Sequence, residues 1–226
     1  MTLVGAAFAA AALAAGALTI AADDRGKRPL VYVFKPLALL LLIALAALAR
    51  SAAPPGSLEP GAPALRVSPA YKTFVLTGLG LSLAGDIFMM LRRKRFELGL
   101  AAFLGAHICY IAAFRTDMLP RFAAQPAFPL VIIAALILRV LLPHLGRMKY
   151  PVLLYVLIIT AMAAMAAGRF IQWGGEKPLF AFAGAALFMA SDTVLAFDRF
   201  ARPVRRAQMA ILATYFVAQT LIALSV

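Results

Sequence analysis

The chain has 226 residues, 64% of them hydrophobic, and carries 22 Lys and Arg against 9 Asp and Glu. Soluble domains hold about 45–50% apolar residues, so this composition excludes a water-soluble globular enzyme. Transmembrane β-strands are also excluded, because they would show as alternating segments of about ten residues. The net charge of +13 would raise nucleic acid as a partner of a soluble protein. Here Lys and Arg fall between apolar segments, where they fix topology and meet anionic lipid headgroups, so no nucleic-acid partner is expected. The one cysteine, Cys109, sits inside an apolar segment, which leaves no disulfide framework and no CxxC motif.

The first segment, MTLVGAAFAAAALAAGALTIAADD, has no Lys or Arg ahead of its apolar run. It lacks the charged start of a signal peptide and reads as a spanning helix over 3–22. Seven more spans are expected at 30–49, 71–91, 98–114, 126–142, 151–167, 179–198 and 207–225, each close to the length a bilayer requires. Pro29, Pro69, Pro126, Pro151 and Pro178 stand where helices are expected to start. Only 50–70, rich in Pro, Gly and Ser, reads as an irregular connection. The expected fold is all-α: one polytopic transmembrane domain of eight helices over 1–226. Nothing in the sequence specifies an oligomeric state.

Odd-numbered loops hold Arg25, Lys27, Arg28, Arg92, Arg93, Lys94, Arg95, Arg147, Lys149, Arg199, Arg202, Arg205 and Arg206. Even-numbered loops hold fewer: Arg50, Arg66, Lys72, Arg115, Arg121, Arg169 and Lys177. The positive-inside rule places the first set in the cytoplasm, with both termini on the other side. Ala-rich spans and Arg-rich loops suggest a bacterial chain, so the expected location is a bacterial inner (plasma) membrane. The spans also fit either a four-plus-four parallel repeat or chance similarity between apolar helices. Gly78 and Gly184 precede Asp86 and Asp192 by the same interval, Gly85 and Ser191 come just before those acids, and Arg93 and Arg199 follow at equal distance.

An ionisable group inside a spanning segment costs about 2.5–3.5 kcal/mol on insertion scales and is a functional-site hypothesis by default. Asp23, Asp24, Glu59, Glu97, Asp117, Glu176 and Asp198 lie in loops or at span ends; Asp86 and Asp192 do not. Counted along the helices, Asp86, Asp192 and Lys35 all lie ~8–9 Å from the cytoplasmic side. Tyr155 enters at a similar level, and His107, Tyr110, Tyr215 and Gln219 lie deeper, so the polar groups suggest a pocket open on one side. Helical spacing puts Gly78, Ser82, Gly85 and Asp86 on one face, Phe103, His107 and Tyr110 on another, and Gln208, Tyr215 and Gln219 on a third. Small residues at spacing four favour close helix packing.

Each residue has a plainer reading. The acids fit structural ion pairing with Lys35, Lys35 fits snorkelling to the interface, and His107 and the tyrosines fit packing. Pro36 leaves the Tyr32 carbonyl without its helical donor, which serves either coordination or a bend. The basic run at 92–95 fits a topology anchor.

A zinc hydrolase needs about three protein ligands, and the chain has only His107 and His144. No G-x-S-x-G motif is present. Two carboxylates in unlike surroundings remain. One, kept protonated by apolar neighbours, can donate a proton; the other, ionised beside Lys35, can activate water. Glycosidases divide labour in this way around an oxocarbenium-like transition state.

The motifs KPL at 35–37, GDIFMM at 85–90, FLGAHICY at 103–110, GAALFMASDTVLA at 184–196 and YFVAQTLI at 215–222 occur in this order on their respective spans. Together they resemble the YhhN-type lysoplasmalogenase family of eight-helix membrane proteins over nearly the whole chain. The resemblance implies hydrolysis of the vinyl ether bond of a lysoplasmalogen, a lysophospholipid, to a fatty aldehyde and a glycerophospho-alcohol. It implies Asp86 and Asp192 as the catalytic pair, with no metal or organic cofactor. Lys35, with Arg93 or Arg199, is then expected to bind phosphate. Ser191, His107, Tyr110, Tyr155, Tyr215 and Gln219 are expected at the substrate, and a deeper pocket between the fourth, sixth and eighth spans is expected to take the alkyl chain. Asp192 is expected to be the acid, with Lys35 nearer Asp86. Two other readings fit intramembrane acids. One is a small-solute or proton-coupled transporter, which needs access from both sides. The other is a hydrolase of the same fold acting on another lipid.

Overall fold

The computed structural model describes residues 3–49, 67–91, 96–116 and 118–226, without the side chains of 120 and 123. Most of the expected irregular connection, the basic run at 92–95 with Arg93, and Asp117 lie outside the described residues. The helices are α1 Leu3–Asp24, α2 Arg28–Leu48, α3 Pro69–Met90, α4 Phe96–Arg115, α5 Pro120–Leu141, α6 Lys149–Trp173, α7 Glu176–Ala196 and α8 Ala207–Leu224. Two 3₁₀ turns, Leu142–His144 and Gly146–Met148, join α5 to α6, and a π-turn, Phe197–Ala201, ends α7. Among the described residues, eight helices are long and apolar enough to cross a membrane. Their outer faces expose large apolar side chains such as Phe128, Leu136 and Leu157, the surface a bilayer covers.

Local chemistry sets the helix ends. Pro69 opens α3, and Ser68 beside it accepts a hydrogen bond from the Tyr71 amide at 3.2 Å, satisfying one of the free donors of the first turn. Gly174 and Gly175, both at positive φ, end α6 and admit α7, a backbone region that a side chain makes costly.

Two expectations about helix ends are corrected. Pro126 does not start the fifth helix. Pro120 does, and Pro126 and Pro129 lie inside α5, where a membrane helix tolerates the lost hydrogen bonds better than a soluble one. The sixth helix does not stop at 167 but continues to Trp173, which takes Arg169 out of the loop assigned to it. Arg169 is buried, its guanidinium 4.6 Å from the Tyr71 ring centroid and hydrogen-bonded to the Thr116 carbonyl. Cation–π contact and a carbonyl acceptor make that burial tolerable.

Sequential helices pack as neighbours except α4 and α5, and α8 also meets α1 and α2 while α6 also meets α4. The α2–α8 and α6–α4 contacts are related by the offset of four that the repeat requires. The α1–α8 contact has no counterpart of similar extent between α5 and α4. Sequential packing alone produces most of the correspondence, so the repeat is not established. α5 is peripheral: among its described side chains only Ala134 and Leu141 are buried.

Glycines let the inner helices approach. A Cβ on Gly78 would overlap the Tyr110 ring. On Gly184 it would stand 2.8 Å from Ile222 Cγ1 and 2.9 Å from the Ala218 carbonyl of α8. A backbone carbonyl cannot turn aside, so Gly184→Ala has to push α7 from α8. It is expected to cost about 1–3 kcal/mol, read as a lower melting temperature in detergent. Gly80→Ala, which meets nothing within 4 Å, is expected to leave the melting temperature unchanged.

Candidate functional site: two carboxylates on one intramembrane cavity

Six helix ends meet around a cavity of about 920 Å³. α2 contributes Arg28, Tyr32 and Lys35, spaced four and three apart and therefore on one face. α3 contributes Asp86, Met89 and Met90; α7 contributes Ser191, Asp192 and Leu195; α8 contributes Gln208, Ile211, Leu212 and Tyr215. Asp23, Phe96, Asp198 and Arg199 stand on the wall nearer the loops. All these positions lie toward the same end of the bundle.

Asp86 has partners on both oxygens. Lys35 Nζ is 2.9 Å from Oδ1, with side-chain exposures of 12% for the lysine and 2% for the aspartate. Tyr215 donates its hydroxyl to Oδ2 at 2.8 Å. Pro36, inside α2, frees the Tyr32 carbonyl one turn before Lys35, and the Tyr32 hydroxyl donates to the Met90 carbonyl at 3.3 Å, tying α2 to the end of α3. Asp192 has a neutral donor instead: Tyr155 donates to its Oδ2 at 2.6 Å. His107 Nε2 is 3.9 Å from the same oxygen, too far for a hydrogen bond. Ser191 donates to the Ile211 carbonyl at 3.0 Å and so joins α7 to α8.

Aromatic rings connect the two carboxylates. The Tyr215 ring meets Phe188 and Phe103 edge-on, with centroids 5.4 and 5.9 Å away. Phe188 meets the His107 ring at 4.7 Å, and His107 meets Tyr155 at 5.2 Å. Edge-to-face contacts of this kind fix ring orientation as well as burying area, so the hydroxyls of Tyr215 and Tyr155 are held toward their respective acids.

The expected site residues therefore divide. Asp86, Asp192, Lys35, Ser191 and Tyr215 line the cavity. Tyr155 reaches it through Asp192. His107 stands behind Tyr155, fully buried. Tyr110 and Gln219 lie deeper and pair with each other, the tyrosine hydroxyl donating to the amide oxygen at 2.8 Å; neither lines the cavity. Sequence reasoning passed over Arg28, Tyr32 and Phe188. The first two share the Lys35 face, and Phe188 lies one helical turn before Asp192, so helical spacing carried the signal for all three.

A second, narrow cavity of about 60 Å³ adjoins the first, and Met89, Phe96, Phe103, Asp192 and Leu195 line both. Its remaining wall comes from α4, α5, α6, α7 and the π-turn. The expected chain pocket lay between the fourth, sixth and eighth helices, whereas this apolar space is lined by α3 to α7 and the π-turn. α8 contributes nothing to the apolar space, because its Tyr215 and Gln219 face the polar core instead.

The YhhN family model matches residues 30–226. The chain belongs to the YhhN family. It is 37% identical over 163 residues to lysoplasmalogenase TMEM86B of Homo sapiens, covering 70% of this chain and 65% of that protein. It is 35% identical over 159 residues to lysoplasmalogenase TMEM86A of Bos taurus, covering 68% and 65%. The chain thus spans slightly under two thirds of these relatives' length. It is 29% identical over 205 residues to the uncharacterized membrane protein YhhN of Escherichia coli O157:H7, covering 91% of each. No solved structure matches the chain significantly. In this YhhN-family protein the matched region contains every described residue that lines the cavity except Asp23 and Arg28.

The ion pair has a testable energetic signature. Removing one partner of a buried pair leaves the other charge uncompensated, at about 3–5 kcal/mol, whereas removing both is far milder. Lys35→Met is expected to melt at a markedly lower temperature than wild type in detergent. Adding Asp86→Asn to it is expected to restore most of the loss. A double variant no more stable than Lys35→Met would show that the pair does not act as a unit.

Proposed function

We propose that this YhhN-family protein is a lysoplasmalogenase that hydrolyses the vinyl ether bond of a lysoplasmalogen, with Asp192 as acid and Asp86 as base. The observation that carries this reading is the unequal partnering of two carboxylates on one cavity wall: an ammonium and a phenol for Asp86, a phenol alone for Asp192. It is joined to similarity with relatives named lysoplasmalogenases.

Vinyl ethers hydrolyse through slow protonation of the β-carbon. Asp192, carrying the proton, forms the new C–H bond, and the electron pair of the double bond is drawn from the ether side to leave an oxocarbenium ion. The carboxylate of Asp86, ion-paired with Lys35, takes a proton from the attacking water as its oxygen bonds to the oxocarbenium carbon. The hemiacetal then breaks its C–O bond to the glycerol: protonated Asp86 gives its proton to the leaving oxygen, Asp192 takes the hydroxyl proton as the C=O bond forms, and aldehyde, alcohol and both starting protonation states result. No redox partner is required. Arg28 and Arg199 on the wall supply positive charge for the substrate phosphate. Among the described residues, the polar cavity is lined from one end of the bundle. The far end is filled by buried Phe114, Arg169 and the Tyr110–Gln219 pair, which favours an enzyme over a transporter with access from both sides.

The test is aldehyde release from lysoplasmenylcholine and lysoplasmenylethanolamine by protein in detergent with EDTA present. Wild type is expected to be active, and Asp86→Asn and Asp192→Asn are each expected to lose at least about 10²-fold in kcat. Folded wild type that releases no aldehyde would overturn the reading.

The same reading includes a bacterial inner membrane with both termini outside, supported by the basic residues around α2, α6 and the α7–α8 loop. In a Cys109→Ala background, Arg205→Cys is expected to react with an impermeant maleimide only after cells are opened. Labelling in intact cells would reverse the orientation.

A further inference from the structure

We propose that the narrow crevice beside Asp192 is an aliphatic-chain subsite. It receives the first few carbons of a single hydrocarbon chain, and the remainder of that chain passes out between α4 and α5 into the surrounding lipid. The inference rests on the reading of the main cavity as a lysophospholipid site and adds where the chain goes.

Four observations carry it. First, the crevice is continuous with the polar cavity through a shared wall that includes Asp192. An amphiphile cut at the junction of its polar and apolar parts needs a reacting group at that junction, and Asp192 stands there. Second, the crevice offers a ligand almost nothing to hydrogen-bond. Leu100, Ala134, Ile137, Val156 and Ile159 are apolar. Of its hydroxyls, Thr160 donates to the Val156 carbonyl at 2.6 Å, Thr193 to the Met189 carbonyl at 2.7 Å, and Tyr155 to Asp192. A polar ligand would lose its hydration there without compensation; an aliphatic one loses nothing.

Third, α5 forms the outer wall without being locked to α4. It packs on α6 and on the 197–201 turn and makes no comparable contact with α4. Its two buried side chains, Ala134 and Leu141, are both on the crevice wall, while Leu136 and Ile133 face outward. Fourth, at about 60 Å³ the crevice is too small for a whole fatty chain. The distal carbons have to lie elsewhere, and the unpacked seam between α4 and α5 leads to hydrocarbon. The crevice is lined by the same ends of α4 and α7 that line the polar cavity. A lipid held this way keeps headgroup and tail in one leaflet.

The experiment is photolabelling of the full-length protein in nanodiscs, read by peptide mass spectrometry. The probes are two non-hydrolysable 1-O-alkyl lysophosphocholines, one with a diazirine three carbons from the glycerol oxygen and one with it near the terminal methyl. The proximal probe is expected to label Ile137 and Val156, and the distal probe the outer faces of α4 and α5. Filling the crevice with Ala134→Phe is expected to lower proximal labelling about tenfold. Leu136→Phe, on the lipid-facing side, should leave it unchanged. Proximal label spread over α1, α2 and α8, or insensitive to Ala134→Phe, overturns the subsite. Distal label inside the crevice overturns the exit between α4 and α5. Because binding is read without hydrolysis, labelled crevice residues in a protein that releases no aldehyde would count against the lysoplasmalogenase reading alone. Aldehyde release without crevice labelling would count against the subsite alone.

Discussion

The Lys35–Asp86 ion pair is the constraint on which the arrangement of the site depends. Each charge inside a spanning helix is costly on its own, and contact at 2.9 Å makes the two tolerable together. The pair draws the start of α2 against the end of α3. The second carboxylate oxygen then recruits Tyr215 from α8, so three helices converge on one anion. From Tyr215 the order passes through Phe188 and His107 to Tyr155 and so to Asp192. The position of the second acid is thus linked to the first by a run of packed rings rather than by direct contact.

That linkage explains how two like residues acquire unlike surroundings. Asp86 meets a full positive charge and a hydroxyl; Asp192 meets a hydroxyl and a histidine that stands short of hydrogen-bonding distance. Acid and base roles separate when neighbouring titratable groups have different partners, and here the difference is built by helix placement. Ser191, expected at the substrate, directs its hydroxyl to the Ile211 carbonyl and ties α7 to α8, which holds Asp192 next to the cavity.

The eight helices were legible because length and hydropathy are one-dimensional properties, read directly from residue order. The two aspartates stood out because almost every other acid lies in a loop or at a span end. Faces were legible too, since helical spacing is local: Gly78, Ser82, Gly85 and Asp86 are all buried on α3. What spacing cannot give is which helix stands beside which. The chain pocket was therefore expected among the fourth, sixth and eighth helices, whereas the apolar space runs along α4 to α7. Tyr110 and Gln219 were read as substrate contacts from their polarity, yet the tyrosine hydroxyl donates to the Gln219 amide oxygen within the core. Arg169 was assigned to a loop because the apolar run ends before it; the helix continues because a ring and a carbonyl receive the guanidinium. Each of these differences depends on contacts between segments far apart in the chain.

The closed end of the bundle matters as much as the open one. Tyr71 and Ser225 share a hydrogen bond at 2.7 Å, Tyr110 stacks near Phe114, and Ala113, Met162 and Ala166 pack without exposure. Among the described residues, the polar cavity that reaches the carboxylates is lined by Arg28 and Arg199 at its mouth. On the proposed reading this one-sidedness separates the products by phase: the glycerophospho-alcohol returns through the charged mouth to water, and the aldehyde stays with the hydrocarbon beside α5. The oxocarbenium intermediate forms where these two routes meet. Its lifetime before capture is then set by how much water the polar cavity admits past Lys35 and Tyr215, the same two side chains that hold Asp86 ready to deprotonate it.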